Sequence, residues 1–146
     1  MKNYLFLITL VFLFFACASK NPRIVGSSTN PTEKSSDYNS VEDIKEYSEN
    51  KKYGLSGKFP VKVGDMKVEN QRKYLASLAG PNGEELEFHR RGSCCGYKSE
   101  NAIFGTALVD VYEVKYNGLK EPVLVYISFY DSEKLYIPFG FTKRKL

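Results

Sequence analysis

The sequence predicts a small α+β domain: a mainly antiparallel sheet of four to five strands with two helices, behind a signal peptide and a disordered tether. Three observations predict it. Residues 106–116 and 123–131 are β-branched and aromatic over strand-like lengths. Two stretches, 40–50 and 69–80, repeat apolar residues at helical spacing. The chain opens on an apolar run followed by a polar one, and neither can build a core.

The first twenty residues read MKNYLFLITLVFLFFACASK. Lys2 precedes an apolar run from Tyr4 to Ala16, the charged and apolar regions of a secretory signal. A membrane span needs about 20 apolar residues, so the run is too short for one. FFAC resembles a bacterial lipobox, which makes residues 1–16 a lipoprotein signal peptide and Cys17 the lipidated first residue of the mature chain. The alternative is Ala16-Cys17-Ala18 as a small-x-small site, whose cleavage after Ala18 would discard Cys17 and release a secreted, soluble protein. The lipoprotein reading is preferred because the cysteine directly follows the apolar run and a polar stretch follows it. That stretch completes residues 17–39 as the lipidated cysteine and its tether, on the order of 25 Å in span. Ala18 rather than Asp after the cysteine resembles an outer-membrane sorting signal. The net charge is +4, and losing residues 1–16 removes Lys2 and no acid, leaving +3. The one dense basic run, Lys143-Arg144-Lys145, reads as a frayed, solvated end, and no nucleic-acid partner is expected.

Residues 40–146 then form a single α+β domain without internal repeats. Ser40 and Asp43 make a capping-box-like start, and Val41, Ile44 and Tyr47 give a thin helical face. KFPVKVG alternates as a short edge strand, since Pro60 has no N–H for a ladder. ENQRKYLASLAG is the better helix, capped by Asn70, with Tyr74, Leu75 and Leu78 on one face and Gly80-Pro81 at its end. PNG turns into EELEFHR, a strand that ends before the cysteines. TALVDVYEVKY, a turn at Asn117-Gly118, VLVYISFYD and KLYIPFGF supply three more strands. Within 106–116 the apolar face changes sides, from Ala107, Val109 and Val111 to Tyr112, Val114 and Tyr116. Either both faces are covered or a bulge near Asp110 shifts the register. Asp110 is the most conspicuous acid, read as a carboxylate bonded to backbone at a bulge or loop edge.

The chemistry gathers in FHRRGSCCGYK, with His89, Arg90, Arg91, Cys94 and Cys95. A thiol among cations, with a histidine near, can be a nucleophile. Yet five or six residues and two glycines separate His89 from the sulfurs. A metal needs three or four converging ligands, and neighbouring strand residues diverge, so no metal is expected. An oxidising envelope compartment and two cysteines left after Cys17 favour either a vicinal disulfide or two packed thiols. A vicinal bridge would form a rigid, exposed apolar knob, with Gly92 and Gly96 supplying the unusual backbone. The strand tyrosines Tyr112, Tyr116, Tyr126 and Tyr130 read as half-buried sheet residues. Phosphate-loop, paired-carboxylate and Ser-His-Asp signatures are missing from the sequence, and no cofactor is expected.

YGLSGKFPVKVG (53–64), NQRKYLASLAGPNGEELEFHRRGSCC (70–95) and DVYEVKYNGLKEPVLVYISFYD (110–131) together resemble a family of small Bacteroidetes lipoproteins of flavobacterial type. The shared marks are Tyr-Gly, Pro-x-x-Val-Gly, a Gly-Pro-x-Gly turn, Arg-x-Gly-Ser-Cys-Cys and Tyr-Glu-Val. A proline often follows the cysteines in that family, where Gly96 stands here. The resemblance implies a lipid-anchored envelope protein and no established activity. Some members carry the label 2-dehydro-3-deoxyphosphooctonate aldolase, a chemistry of TIM barrels of about 250 residues, which residues 40–146 are too few to build. The sequence therefore predicts a non-enzymatic binding or structural module, held to the outer membrane through Cys17, with an envelope protein as its expected partner. The alternative is an envelope enzyme using Cys94 or Cys95 as a thiol centre.

Overall fold

The computed structural model describes residues 31–39, 41 and 44–145. The stretch read as a signal peptide, Cys17 and most of the stretch read as a tether lie outside the described residues, as do Ser40 and Asp43. Seven strands and one α-helix are described: β1 (Glu33–Lys34), β2 (Val61–Lys62), α1 (Val68–Ala76), β3 (Leu78–Ala79), β4 (Glu87–Lys98), β5 (Thr106–Lys115), β6 (Val123–Ser128) and β7 (Thr142–Lys143). Five make one mixed sheet in the order β1-β4-β5-β6-β2, with β2 parallel to β6 and the other pairs antiparallel. β3 and β7 form a separate antiparallel pair.

The long β4–β5 hairpin is the spine. β5 is covered on both faces, which explains its change of apolar side. Tyr112 and Val114 join Phe88, Val125, Ile127, Tyr74 and Leu75 in the main core under α1. Val109 and Val111 join Cys94 and Tyr126 in a smaller cluster on the other face. β5 itself keeps an unbroken register with β6 from Asp110 to Val114. The bulges are on β4, at Arg90/Gly92 and Cys94/Gly96.

Four expectations are corrected. Residues 44–50 are not helical: Tyr47 bridges Ile137, Ser48 N–H donates to the Ile137 carbonyl and Ile137 N–H to that of Glu46. The apolar face there was too thin to hold a helix against that pairing, so the described chain has one α-helix. Asn70 does not cap α1. It lies inside the helix, and its amide donates to the Val63 and Gly64 carbonyls and to Asp65. The helix stops at Ala76, before Gly80, because Leu78–Ala79 pairs with β7. KLYIPFGF makes only the bridge at Ile137, since Pro138 breaks the donor row.

The fold also takes in the last part of the stretch read as tether. β1 pairs with Phe88 and Glu87, and Glu33 meets Arg72 of α1 at 2.8 Å. The basic tail is tied down rather than frayed: Arg144 N–H donates to the Ser77 carbonyl and its guanidinium to that of Ser35.

Candidate functional site

β4 does not end before the cysteines but runs through them, because its bulges absorb the glycines as part of the strand. A bulge sets two residues of one strand against one of the partner. Cys94 pairs with Val109 and Gly96 with Leu108, so Cys95 is the extra residue. The alternation that would have sent the two side chains to opposite faces is lost there. Both sulfurs lie together at disulfide distance, with the Cα atoms 3.8 Å apart. They form no exposed knob. Cys94 is 4% exposed among Val109, Val111 and Tyr126, and Cys95 is half-buried. Gly57, from the loop ahead of β2, sits directly on them: a Cβ built there would clash with the Cys95 sulfur.

The other candidates do not converge on the sulfurs. His89 shares their face of β4 but pairs with Glu113, four residues along β5 from Val109. At 3.3 Å per residue that is about 13 Å. Arg91, the extra residue of the first bulge, reaches Glu113 at 3.6 Å. Gly92 at that bulge has φ 143°, a conformation that favours glycine. Asp110 faces the opposite side of the sheet, with Tyr112 and the main core.

There Asp110 is the centre of a buried polar network, not a carboxylate on backbone at a bulge. Arg90 Nη2 donates to Asp110 Oδ1 at 2.7 Å and to Ser93 Oγ at 2.7 Å. Ser93 Oγ donates to the same Oδ1 at 2.7 Å. Gln71 Nε2 donates to Asp110 Oδ2 at 3.1 Å and to the Ile127 carbonyl at 3.3 Å. Tyr112 closes the chain by donating to Gln71 Oε1 at 2.9 Å. The hydrogen bond to Asp110 raises the Arg90 pKa against the opposing effect of burial. Burial pushes the Tyr112 hydroxyl well up. Sequence reasoning missed Gln71 and Ser93 as partners of Asp110, and Tyr112 as the partner of Gln71. For Gln71 a signal existed: with Tyr74, Leu75 and Leu78 it completes the i, i+3, i+4, i+7 face that turns to the core.

Above this network lies an open depression of about 390 Å³, with Arg90, Ser93 and Asp110 at its floor. Val68, Leu108, Phe129 and Tyr130 wall it. The Phe129 and Tyr130 rings stack at 4.7 Å. Leading into α1 beside Val68, three successive residues take left-handed backbone: Gly64 (φ 72°), Asp65 (φ 64°) and Met66 (φ 55°). For the two non-glycine residues this costs about 1–2 kcal/mol each. Asn70 holds the turn from inside the helix, and Met66 N–H donates to the Phe129 carbonyl.

A second polar cluster fixes the hairpin loop, residues 99–105. Ser99 and Asn101 both donate to Asp131 Oδ1 at 2.7 Å. Tyr97 donates to Ser128 Oγ at 3.1 Å, and Lys62 Nζ lies 4.5 Å above the Tyr97 ring. Desolvation raises the Asp131 pKa, but hydrogen bonds, first from Ser99 and then from Asn101, outweigh it and hold the group below its ordinary value. Among the described residues no three His, Cys, Asp or Glu side chains group as a metal site, and no helix is long and apolar enough to cross a membrane. Comparison with protein-family models, with curated proteins and with solved structures gives no match for this chain.

Proposed function

We propose that the chain is a lipid-anchored cell-envelope protein of the outer membrane, held through Cys17, whose folded domain is a binding or structural module rather than an enzyme. The observation that carries the second half is the closure of the Asp110 network. Its carboxylate accepts from Arg90, Ser93 and Gln71, and Gln71 is in turn held by Tyr112. A buried charge so fully partnered acts as a post in the fold. It fixes the floor of an apolar-walled depression, the form of a site that takes a small apolar group by shape. The first half rests on the apolar run Tyr4–Ala16 ending in FFAC and on the polar residues after Cys17. An envelope protein is the partner class this reading favours, and the membrane is the other contact.

The thiol-enzyme reading has less to rest on. Cys94 is buried, Gly57 packs on Cys95, and His89 lies about 13 Å along the strand. The anchor is tested by metabolic labelling with an alkyne fatty acid. The wild-type protein takes up the label and fractionates with membranes, and Cys17→Ser does neither. A wild-type protein that stays unlabelled and soluble in the periplasmic fraction overturns the proposal.

A further inference from the structure

The loop at the far end of the β4–β5 hairpin displays two large apolar side chains almost completely. Ile103 is 87% exposed and Phe104 93%. This is a built display, not a loose end. Ser99 N–H donates to the Gly105 carbonyl at 3.1 Å and Gly105 N–H to that of Ala102 at 2.8 Å. Asn101 N–H donates to Ser99 Oγ, and both side chains are fastened to Asp131. Ser99 and Ala102 are buried beneath, so the loop turns its small residues inward and its two large apolar ones out.

We infer that the Ile103–Phe104 tip is a membrane contact that inserts into the bilayer surface and lays the domain against it. This rests on the anchored reading above. Two features select a bilayer over a protein. A stable protein interface covers about 800 Å² on each partner around an apolar centre. Here the exposed apolar pair has buried Ala102 before it and exposed Gly105 after it, with exposed Glu100, Asn101 and Thr106 next along the chain, too narrow a patch for that. A bilayer needs no matching apron, only side chains that reach past the headgroups. The second feature is reach. The tether joins the sheet beside Phe88, and the tip lies beyond the pair Lys98–Thr106 at the other end of β4. From Val114 to Thr106 this is about 27 Å along β5. Residues 17–32 span up to about 55 Å, so a domain anchored at Cys17 can turn its tip to the same surface. The tether then makes a weak two-residue insertion effective by holding it at high local concentration.

The chain contains no tryptophan, so Phe104→Trp places a single reporter at the tip. The mature chain, with an N-terminal hexahistidine tag in place of the lipid, is bound to phosphatidylcholine vesicles carrying nickel-chelating lipid. The tag anchors it whether or not Cys17 is lipidated in the cell, so failure of the anchor and failure of the tip are read separately. With acyl-brominated phosphatidylcholine, the Phe104→Trp emission shifts to the blue and is quenched relative to vesicles without bromine, as insertion of the side chain below the headgroups requires. A Phe139→Trp control, at another exposed position, stays unshifted and unquenched. Equal, water-like emission from both variants on the vesicles overturns the inference and leaves a protein pocket as the remaining use of the tip.

Discussion

Gln71 of α1 and Asp110 of β5, thirty-nine residues apart in sequence, meet in the interior at 3.1 Å and lock the helix to the centre of the sheet. The amide is suited to the place because it works in both directions. Its nitrogen donates to Asp110 and to the Ile127 carbonyl, while its oxygen accepts from Tyr112. A leucine would fill the space but leave a carboxylate oxygen, a carbonyl and a phenol short of partners.

Asp110→Ala is therefore expected to destabilise the fold by about 3 kcal/mol, since it removes the buried carboxylate that Arg90, Ser93 and Gln71 share. Gln71→Leu should cost about 1–3 kcal/mol. Urea unfolding followed by circular dichroism measures both. Because the two residues share one network, the double variant should lose less than the sum of the singles. Strict additivity would show that they do not act together.

Gly57→Ala puts a methyl group into the Cys95 sulfur. Overpacking of this kind costs about 1–3 kcal/mol. Adding Cys95→Ala removes the atom that is struck, so the double variant should recover most of the loss relative to Cys95→Ala alone. A thermal melt of the four proteins tests it.

With the two sulfurs bridged, alkylation of the denatured, unreduced mature protein should modify neither Cys94 nor Cys95. After reduction it should modify both, as intact mass will show. In the folded, reduced protein Cys95 should react first, because Cys94 is closed in by Val109, Val111 and Tyr126.

Asp131 has a folded pKa below its unfolded value. Its contribution to stability is thus fully present above the unfolded value of about 3.9 and is lost as pH falls through the folded one. Below about pH 4 the 99–105 loop should loosen ahead of the core. Amide exchange at Asn101 and Gly105 should then accelerate more than at Val111. Asp131→Asn should abolish that local pH dependence.

The strands at 106–116 and 123–131 were legible because a β-branched, aromatic run says strand whatever it pairs with. The better helix was legible from its spacing. What escaped depended on partners far away in the chain. Residues 44–50 carry a weak helical pattern that their pairing with Ile137 overrides. Glycines at 92 and 96 read as turns, yet they serve bulges inside one long strand, and only the partner strand reveals it. Asp110 stood out, but its ligands come from positions 71, 90 and 93, and nothing local marks them as a set.

The joining of Glu33, Arg72, Ser35 and Arg144 bears on mechanical load. A pull on the chain ahead of residue 33 would reach the domain at β1, whose two residues alone would peel from β4 one hydrogen bond after another. The ion pair to α1 and the hydrogen bond from Arg144 fasten that same point to the helix and to the chain beyond β7. Force entering at residue 33 is thereby shared among three segments distant in sequence.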